Sequence, residues 1–181
     1  MANQVAQGLL SPWLQRHRLA AVKPWLRGKI LDFGCGAGVL ADFIPPSKYI
    51  GYDIDTASVS AARSLHPDHT FVSVPPITAD FDCIVSLAVI EHSDDPRAFL
   101  ERIGSLVKEG GRIVVTTPNP LLDPIHHAGA KIGIFSHDAS EEHVSLLNRK
   151  ALMQLAASLG LSVERYERFL LGANQLLVLR K

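Results

Sequence analysis

Glycines 34, 36 and 38 follow directly on the apolar run Lys29–Phe33, in the stretch Leu31-Asp32-Phe33-Gly34-Cys35-Gly36-Ala37-Gly38. Glycines at the end of a strand let the chain turn sharply and let a ligand lie against backbone with no Cβ in the way. A dinucleotide fingerprint, Gly-x-Gly-x-x-Gly, needs its third glycine at 39, where Val39 stands. The Gly-Lys-Ser/Thr of a phosphate-binding loop is absent as well. A second apolar run, Tyr49–Tyr52, ends at Asp53. An acidic residue there, about 20 residues beyond a glycine loop, is placed to hold a ribose diol. Its two carboxylate oxygens can accept from both hydroxyls. Asp55, next along, reads instead as a helix cap.

These residues need a sheet to position them, and the pattern supplies one. Lys29–Phe33, Tyr49–Tyr52, Phe71–Val74, Asp82–Val89 and Arg112–Thr117 read as strands. Asp82–Val89 has the near-continuous apolar character of a strand covered on both faces. Helices are expected over Val39–Phe43, stopped by Pro45-Pro46, over Thr56–Leu65, and over Pro96–Val107, which Gly110-Gly111 closes. The β-α-β-α order argues for a parallel sheet with helices on both faces. Arg149–Leu159 reads as a further helix ended by Gly160, followed by strands Ser162–Phe169 and Asn174–Arg180. The link between those two strands is so short that they must run antiparallel.

Composition limits the classes open to the chain. Its 181 residues fit one domain, with 47% hydrophobic and 20% charged side chains, inside the globular range. Eighteen Lys and Arg balance eighteen Asp and Glu. A nucleic-acid partner is disfavoured, because phosphate neutralisation calls for a basic excess. Cys35 and Cys83 are too few for a disulfide framework and form no metal-spacing pair. No apolar run reaches the 18–20 or so residues of a membrane span, and residues 1–10 lack a secretory pattern. A cytoplasmic location is expected.

With these motifs in hand, the chain resembles the class I S-adenosylmethionine-dependent methyltransferases, especially their small-molecule, type-11 or ubiquinone-biosynthesis-like branch. The matching stretches are ILDFGCGAG at 30–38, IGYDID at 50–55, FDCIVSLAVIEH at 81–92 and LVKEGGRIVVTTPNP at 106–120. Four motifs in order cover residues 29–120 and are far more specific together than singly. The resemblance implies a Rossmann-like, doubly wound α/β fold with a seven-stranded sheet of order 3-2-1-4-5-7-6, the last strand antiparallel. It implies S-adenosyl-L-methionine as cofactor and S-adenosyl-L-homocysteine as product, and a cofactor with a ribose but no pyrophosphate suits this loop.

Residue by residue, the resemblance puts Asp32 and the backbone of Gly34, Cys35, Gly36 and Gly38 around the methionine part. Asp53 would hold the ribose and Ile54 would lie against the adenine. Ser86 and Leu87 would contact the cofactor near the sulfonium, with Ala88 close by. Family members commonly carry Asp or Glu after strand three to accept from the adenine amino group. Here the stretch is Ser73-Val74-Pro75-Pro76. Ser73 or a backbone carbonyl would accept instead, and weaker cofactor affinity is expected, since a neutral bond is about half as strong as a charge-assisted one.

The acceptor is a separate matter. A sulfonium is already an activated donor, so the protein chiefly aligns an acceptor, and a base is needed only when the attacking atom arrives protonated. An (Asn/Asp)-Pro-Pro-Tyr motif after strand four, the mark of adenine and glutamine N-methylation, is replaced by Ser86-Leu87-Ala88-Val89. A small or medium-sized O- or N-acceptor is therefore expected. His126, His127, His137 and His143 cluster after strand five with Asp138, Glu141 and Glu142, where an open α/β fold binds ligands. His143, in the family-like EEHVSLLNRKAL stretch, is the candidate base; packing against the next helix is the competing role. His92 reads as an orienting donor. The cluster lacks a recognised ligand spacing, and no metal is expected.

Residues 11–27, with Trp13, Trp25 and a proline at 24, suggest a kinked helix laid over the cofactor end; its basic residues read as a solvated face. A single methyltransferase domain over 1–181 then comprises an N-terminal helical cover at 1–28 and an acceptor-side loop at 118–146. So little chain outside the sheet leaves the acceptor site open or completed by a second subunit or a homodimer partner. Two rival readings are a non-catalytic S-adenosylmethionine-binding partner subunit and an NAD(P)-dependent oxidoreductase, the latter disfavoured by Val39.

Overall fold

Seven strands account for the apolar runs: β1 (Ile30–Phe33), β2 (Tyr49–Tyr52), β3 (Thr70–Val72), β4 (Phe81–Leu87), β5 (Val107–Pro118), β6 (Ser162–Phe169) and β7 (Asn174–Arg180). They form one sheet of order β3-β2-β1-β4-β5-β7-β6 in a computed structural model that describes residues 11–78, 80–120 and 147–181. β1 to β5 are parallel, while β7 pairs antiparallel with both β5 and β6. This is the seven-stranded, doubly wound α/β arrangement expected of a Rossmann-like methyltransferase. The histidine-rich segment, with His126, His127, His137, Asp138, Glu141, Glu142 and His143, lies outside the described residues.

The helices are α1 (Ser11–Val22), α2 (Thr56–Leu65), α3 (Pro96–Leu106) and α4 (Arg149–Ser158). Their starts are set locally. Asp55 accepts from the Ala57 and Ser58 amides, Asp95 from those of Arg97 and Ala98 ahead of Pro96, and Asn148 from Ala151. Alternation along the strands sorts side chains onto two faces. Leu31, Ile84, Ile113, Val115 and Leu177 pack with Leu100 and Ile103 of α3 and Leu152 of α4. Ile30, Val85, Val114, Leu176 and Val178 pack with Leu19 and Val22 of α1 and Val59 of α2. Strands covered on both faces must be apolar at nearly every position, which is why β4 and β5 are so uniform.

Three local expectations change. The helix expected over Val39–Phe43 is a turn ending in a single 3₁₀ segment, Ala41–Phe43. Gly38 at φ 83° and Pro45 bound six residues, too few to offset the costly nucleus of an α-helix. β3 stops at Val72, before the Pro75-Pro76 turn. β5 begins at Val107, through Gly110-Gly111, because Val107 already pairs with Phe81 before the register shifts between Phe81 and Cys83. The kink at Pro24 is present, as a 3₁₀ turn over Lys23–Trp25.

Candidate cofactor and acceptor site

The three loop glycines do different work. An added Cβ on Gly34 would sit 2.4 Å from Val89 Cγ2, and on Gly38 2.8 Å from the Phe71 ring, so both are required by packing. Gly36 has φ 50° and nothing within 4 Å of where its Cβ would be. That is bare backbone facing open space, the surface a ligand needs. The loop is tied to β2, since the Gly34 and Cys35 amides both donate to Tyr52 O, at 2.8 and 2.9 Å.

Asp53 stands at the end of β2 and reaches into this cradle. Its Oδ2 accepts from the Gly36 amide at 2.8 Å and its Oδ1 from the Asp55 amide at 2.9 Å. Each oxygen keeps a further lone pair for a hydroxyl donor. Ile54, 82% exposed, follows at the rim, and Ser73 is half-buried past the end of β3. Asp53, Ile54 and Ser73 thus follow the carboxyl ends of β2 and β3, and Asp53 reaches across to the loop after β1.

Asp32 lies beneath the loop, buried, and accepts from Tyr49 Oη at 2.8 Å. Burial pushes its carboxyl up to about 7; the Tyr49 bond opposes the rise and the Asp53 charge adds to it. Burial, with the charges of Asp32 and Asp53, pushes the Cys35 thiol up to about 12. A neutral, inert cysteine therefore sits in the loop. Ser86 and Leu87 end β4, Ser86 fully buried and Leu87 half-buried. Ser86 stands opposite Val115, so its side chain lies on the α3 face. Ala88, next, has φ 56° and donates to Thr116 O at 2.9 Å.

A polar group unforeseen in the sequence gathers beside β4. Glu91 is buried and accepts from Thr117 Oγ1 at 3.0 Å. Its carboxyl is raised by burial, against the pull of Arg18 from α1. Arg18 Nε donates to Asn174 Oδ1 at 3.0 Å. The sequence-level signal was an acid directly after an apolar strand, which could not name its partners on α1 and β7. His92, beside it, is exposed. A separate cleft of about 320 Å³, lined by Trp25, Gly28, Asp82, Cys83, Lys108 and Gly111, opens at the amino ends of β4 and β5, away from the loop.

Comparison with known proteins decides the family. A methyltransferase-domain model matches residues 6–166. The chain belongs to that family. This methyltransferase-domain chain is 35% identical over 127 residues to a ubiquinone biosynthesis O-methyltransferase of Parvibaculum lavamentivorans, covering 62% of the chain and 48% of that protein. The chain thus spans about half the length of the curated relatives it matches. Among solved structures, an S-adenosylmethionine-dependent methyltransferase from Mesorhizobium loti superposes with a TM-score of 0.71 at 18% identity, covering 95% of this chain and 97% of that one. Magnesium protoporphyrin IX methyltransferase from Synechocystis, solved with bound S-adenosylhomocysteine, gives 0.67 at 17% identity, over 90% and 78%. The methyltransferase fold is shared across these. Among the described residues no helix is long and apolar enough to cross a membrane, and no group of three metal-ligating side chains occurs.

Proposed function

We propose that the protein transfers a methyl group from S-adenosylmethionine to a hydroxyl or amine of a small or medium-sized acceptor, in the manner of the ubiquinone-biosynthesis-like enzymes. The observation that carries this reading is the pairing of Asp53 with the Gly36 amide, at the edge of backbone open to a ligand. The donor set fits the cofactor: a free carboxylate valence for a ribose, a buried carboxyl at Asp32 for an α-ammonium, and no phosphate cradle. When bound, the cofactor supplies an electrophilic methyl on a sulfonium.

The chain's own residues do the rest. Asp53 orients the ribose end, Ile54 and Ser73 flank the adenine end, and the loop from Asp32 through Gly34, Cys35, Gly36 and Gly38 holds the methionine end. Backbone at Ser86 and Leu87 faces the reacting centre. Alignment of an attacking atom in line with the methyl is the main catalytic task. His143 removes the proton when the acceptor is a hydroxyl. Titration calorimetry with S-adenosylhomocysteine and with NAD(P)⁺ tests the cofactor half: binding of the nicotinamide alone refutes the reading. Labelled-methyl transfer to panels of phenols, amines and acids tests the other half. His143→Ala should slow transfer while leaving cofactor affinity unchanged; an undiminished rate removes His143 as the base.

A further inference from the structure

We propose that Arg18, Asn174 and Thr116 form a carboxylate-binding subsite, so that the methyl acceptor is an organic acid anchored beside the atom to be methylated. This inference rests on the methyl-transfer reading above and names its substrate class.

Arg18 can only donate, so the side-chain atom of Asn174 lying 3.0 Å from its Nε must be the oxygen. The amide nitrogen Nδ2 is thereby turned the other way. It is buried there without a hydrogen-bond partner, and so is Thr116 Oγ1. Both side chains are fully buried. In the β5–β7 register Thr116 stands opposite Leu176 and Pro118 opposite Asn174, so the two lie one cross-strand pair apart on the same face. Leu176 belongs to the core beneath α1, which identifies that face as the one Arg18 covers. On the other side Thr116 stands opposite Leu87, at the end of β4 where the reacting centre is read. A guanidinium, an amide NH₂ and a hydroxyl thus line one strip from the reacting end of β4 to α1.

Donors of this kind call for oxygen acceptors, and a planar carboxylate offers two. Buried donors without partners are rare in folded proteins, and two on one face call for a group that completes them. Glu91 does not consume Arg18. Its Oε2 is held by Thr117, and no direct ion pair joins it to the guanidinium.

The test is titration calorimetry on the full chain. S-adenosylhomocysteine is titrated first, because its failure to bind overturns the methyl-transfer reading itself. The saturated protein is then titrated with 3,4-dihydroxybenzoate and with octanoate, each beside its neutral amide. At least one acid should bind fivefold or more tightly than its amide. Arg18→Gln should abolish that preference with S-adenosylhomocysteine affinity intact. Thr116→Val should raise the melting temperature, because the lone hydroxyl is gone, while cutting acid affinity several-fold. A preference below fivefold for both acids, or acid affinity untouched in both variants, overturns the subsite and leaves the cofactor reading standing.

Discussion

Tyr49 Oη donates to Asp32 Oδ2 at 2.8 Å between neighbouring strands β2 and β1, with both side chains buried. Register explains the meeting: Tyr49 stands opposite Ile30, two residues before Asp32, and Gly51 stands opposite Asp32 itself. With no side chain at Gly51, the tyrosine ring is the group left to supply a donor from β2. The pair holds an ionisable carboxyl directly under the glycine loop.

That burial makes stability depend on pH. Unfolded, Asp32 titrates near its ordinary 3.8; folded, it titrates near about 7. Between these values the folded protein holds a proton that the unfolded chain has released, so this group's contribution falls as pH rises from about 4 to about 7 and is level above. The full swing is up to about 4 kcal/mol, at roughly 1.4 kcal/mol for each pH unit. Asp32→Asn should flatten this part of the profile, read by urea unfolding at steps from pH 4.5 to 8. Identical slopes in the two proteins would contradict the assignment.

Cofactor affinity should move the opposite way. An α-ammonium beside Asp32 favours the carboxylate, so binding at pH 6 must expel a proton that is already gone at pH 8. S-adenosylhomocysteine should bind more tightly as pH rises through about 7. Calorimetry at pH 6 in buffers of different ionisation enthalpy should register proton release, and Asp32→Asn should register none.

Asp53 braces the loop and is the proposed ribose ligand, and one substitution removes both. Asp53→Ala takes away the acceptor for the Gly36 and Asp55 amides. Cofactor binding should weaken by about 1.5–3 kcal/mol, the scale of charge-assisted bonds. Unchanged affinity for S-adenosylhomocysteine would falsify the ribose role.

The glycines should separate binding from folding. Gly36→Ala meets no atom within 4 Å, so its stability cost is the left-handed backbone alone, about 1–2 kcal/mol. Its methyl group projects into the cradle and should cut cofactor affinity tenfold or more. Gly38→Ala drives a Cβ to 2.8 Å from the Phe71 ring and should lower the melting temperature much further. Thermal denaturation beside calorimetry on both variants checks the contrast; a Gly36→Ala protein with full affinity places the cofactor elsewhere.

Gln175 ties the end of β5 and the residue before the α4 cap to β7. Its Nε2 donates to Pro118 O at 2.9 Å and Leu147 O at 2.8 Å, and its Oε1 accepts from Tyr166 Oη. Gln175→Leu keeps the volume but strands these groups, and should cost about 2–4 kcal/mol in chemical denaturation. A loss below 1 kcal/mol would mean that water replaces the amide.

Much of this molecule was legible in its residue order, because the informative signals are local. Periodicity marked every strand of the sheet, Asp55 marked the start of the helix at Thr56, and the glycines at 34, 36 and 38 with Asp53 marked the loop at the carboxyl ends of β1 and β2. Spacing alone could not tell which glycine is bare and which is packed; that depends on where Phe71 and Val89 come to lie, from distant parts of the chain. Nor could it foresee that a tyrosine on one strand would cover an aspartate on the next. Arg18 read as one more solvated cation on a basic helix until the fold set it against Asn174, 156 positions away. Contacts of that separation are fixed by strand order and register, which no local pattern encodes. The glycine loop and its aspartate were therefore legible in the sequence, and the meeting of Arg18, Asn174 and Thr116 only in the tertiary structure.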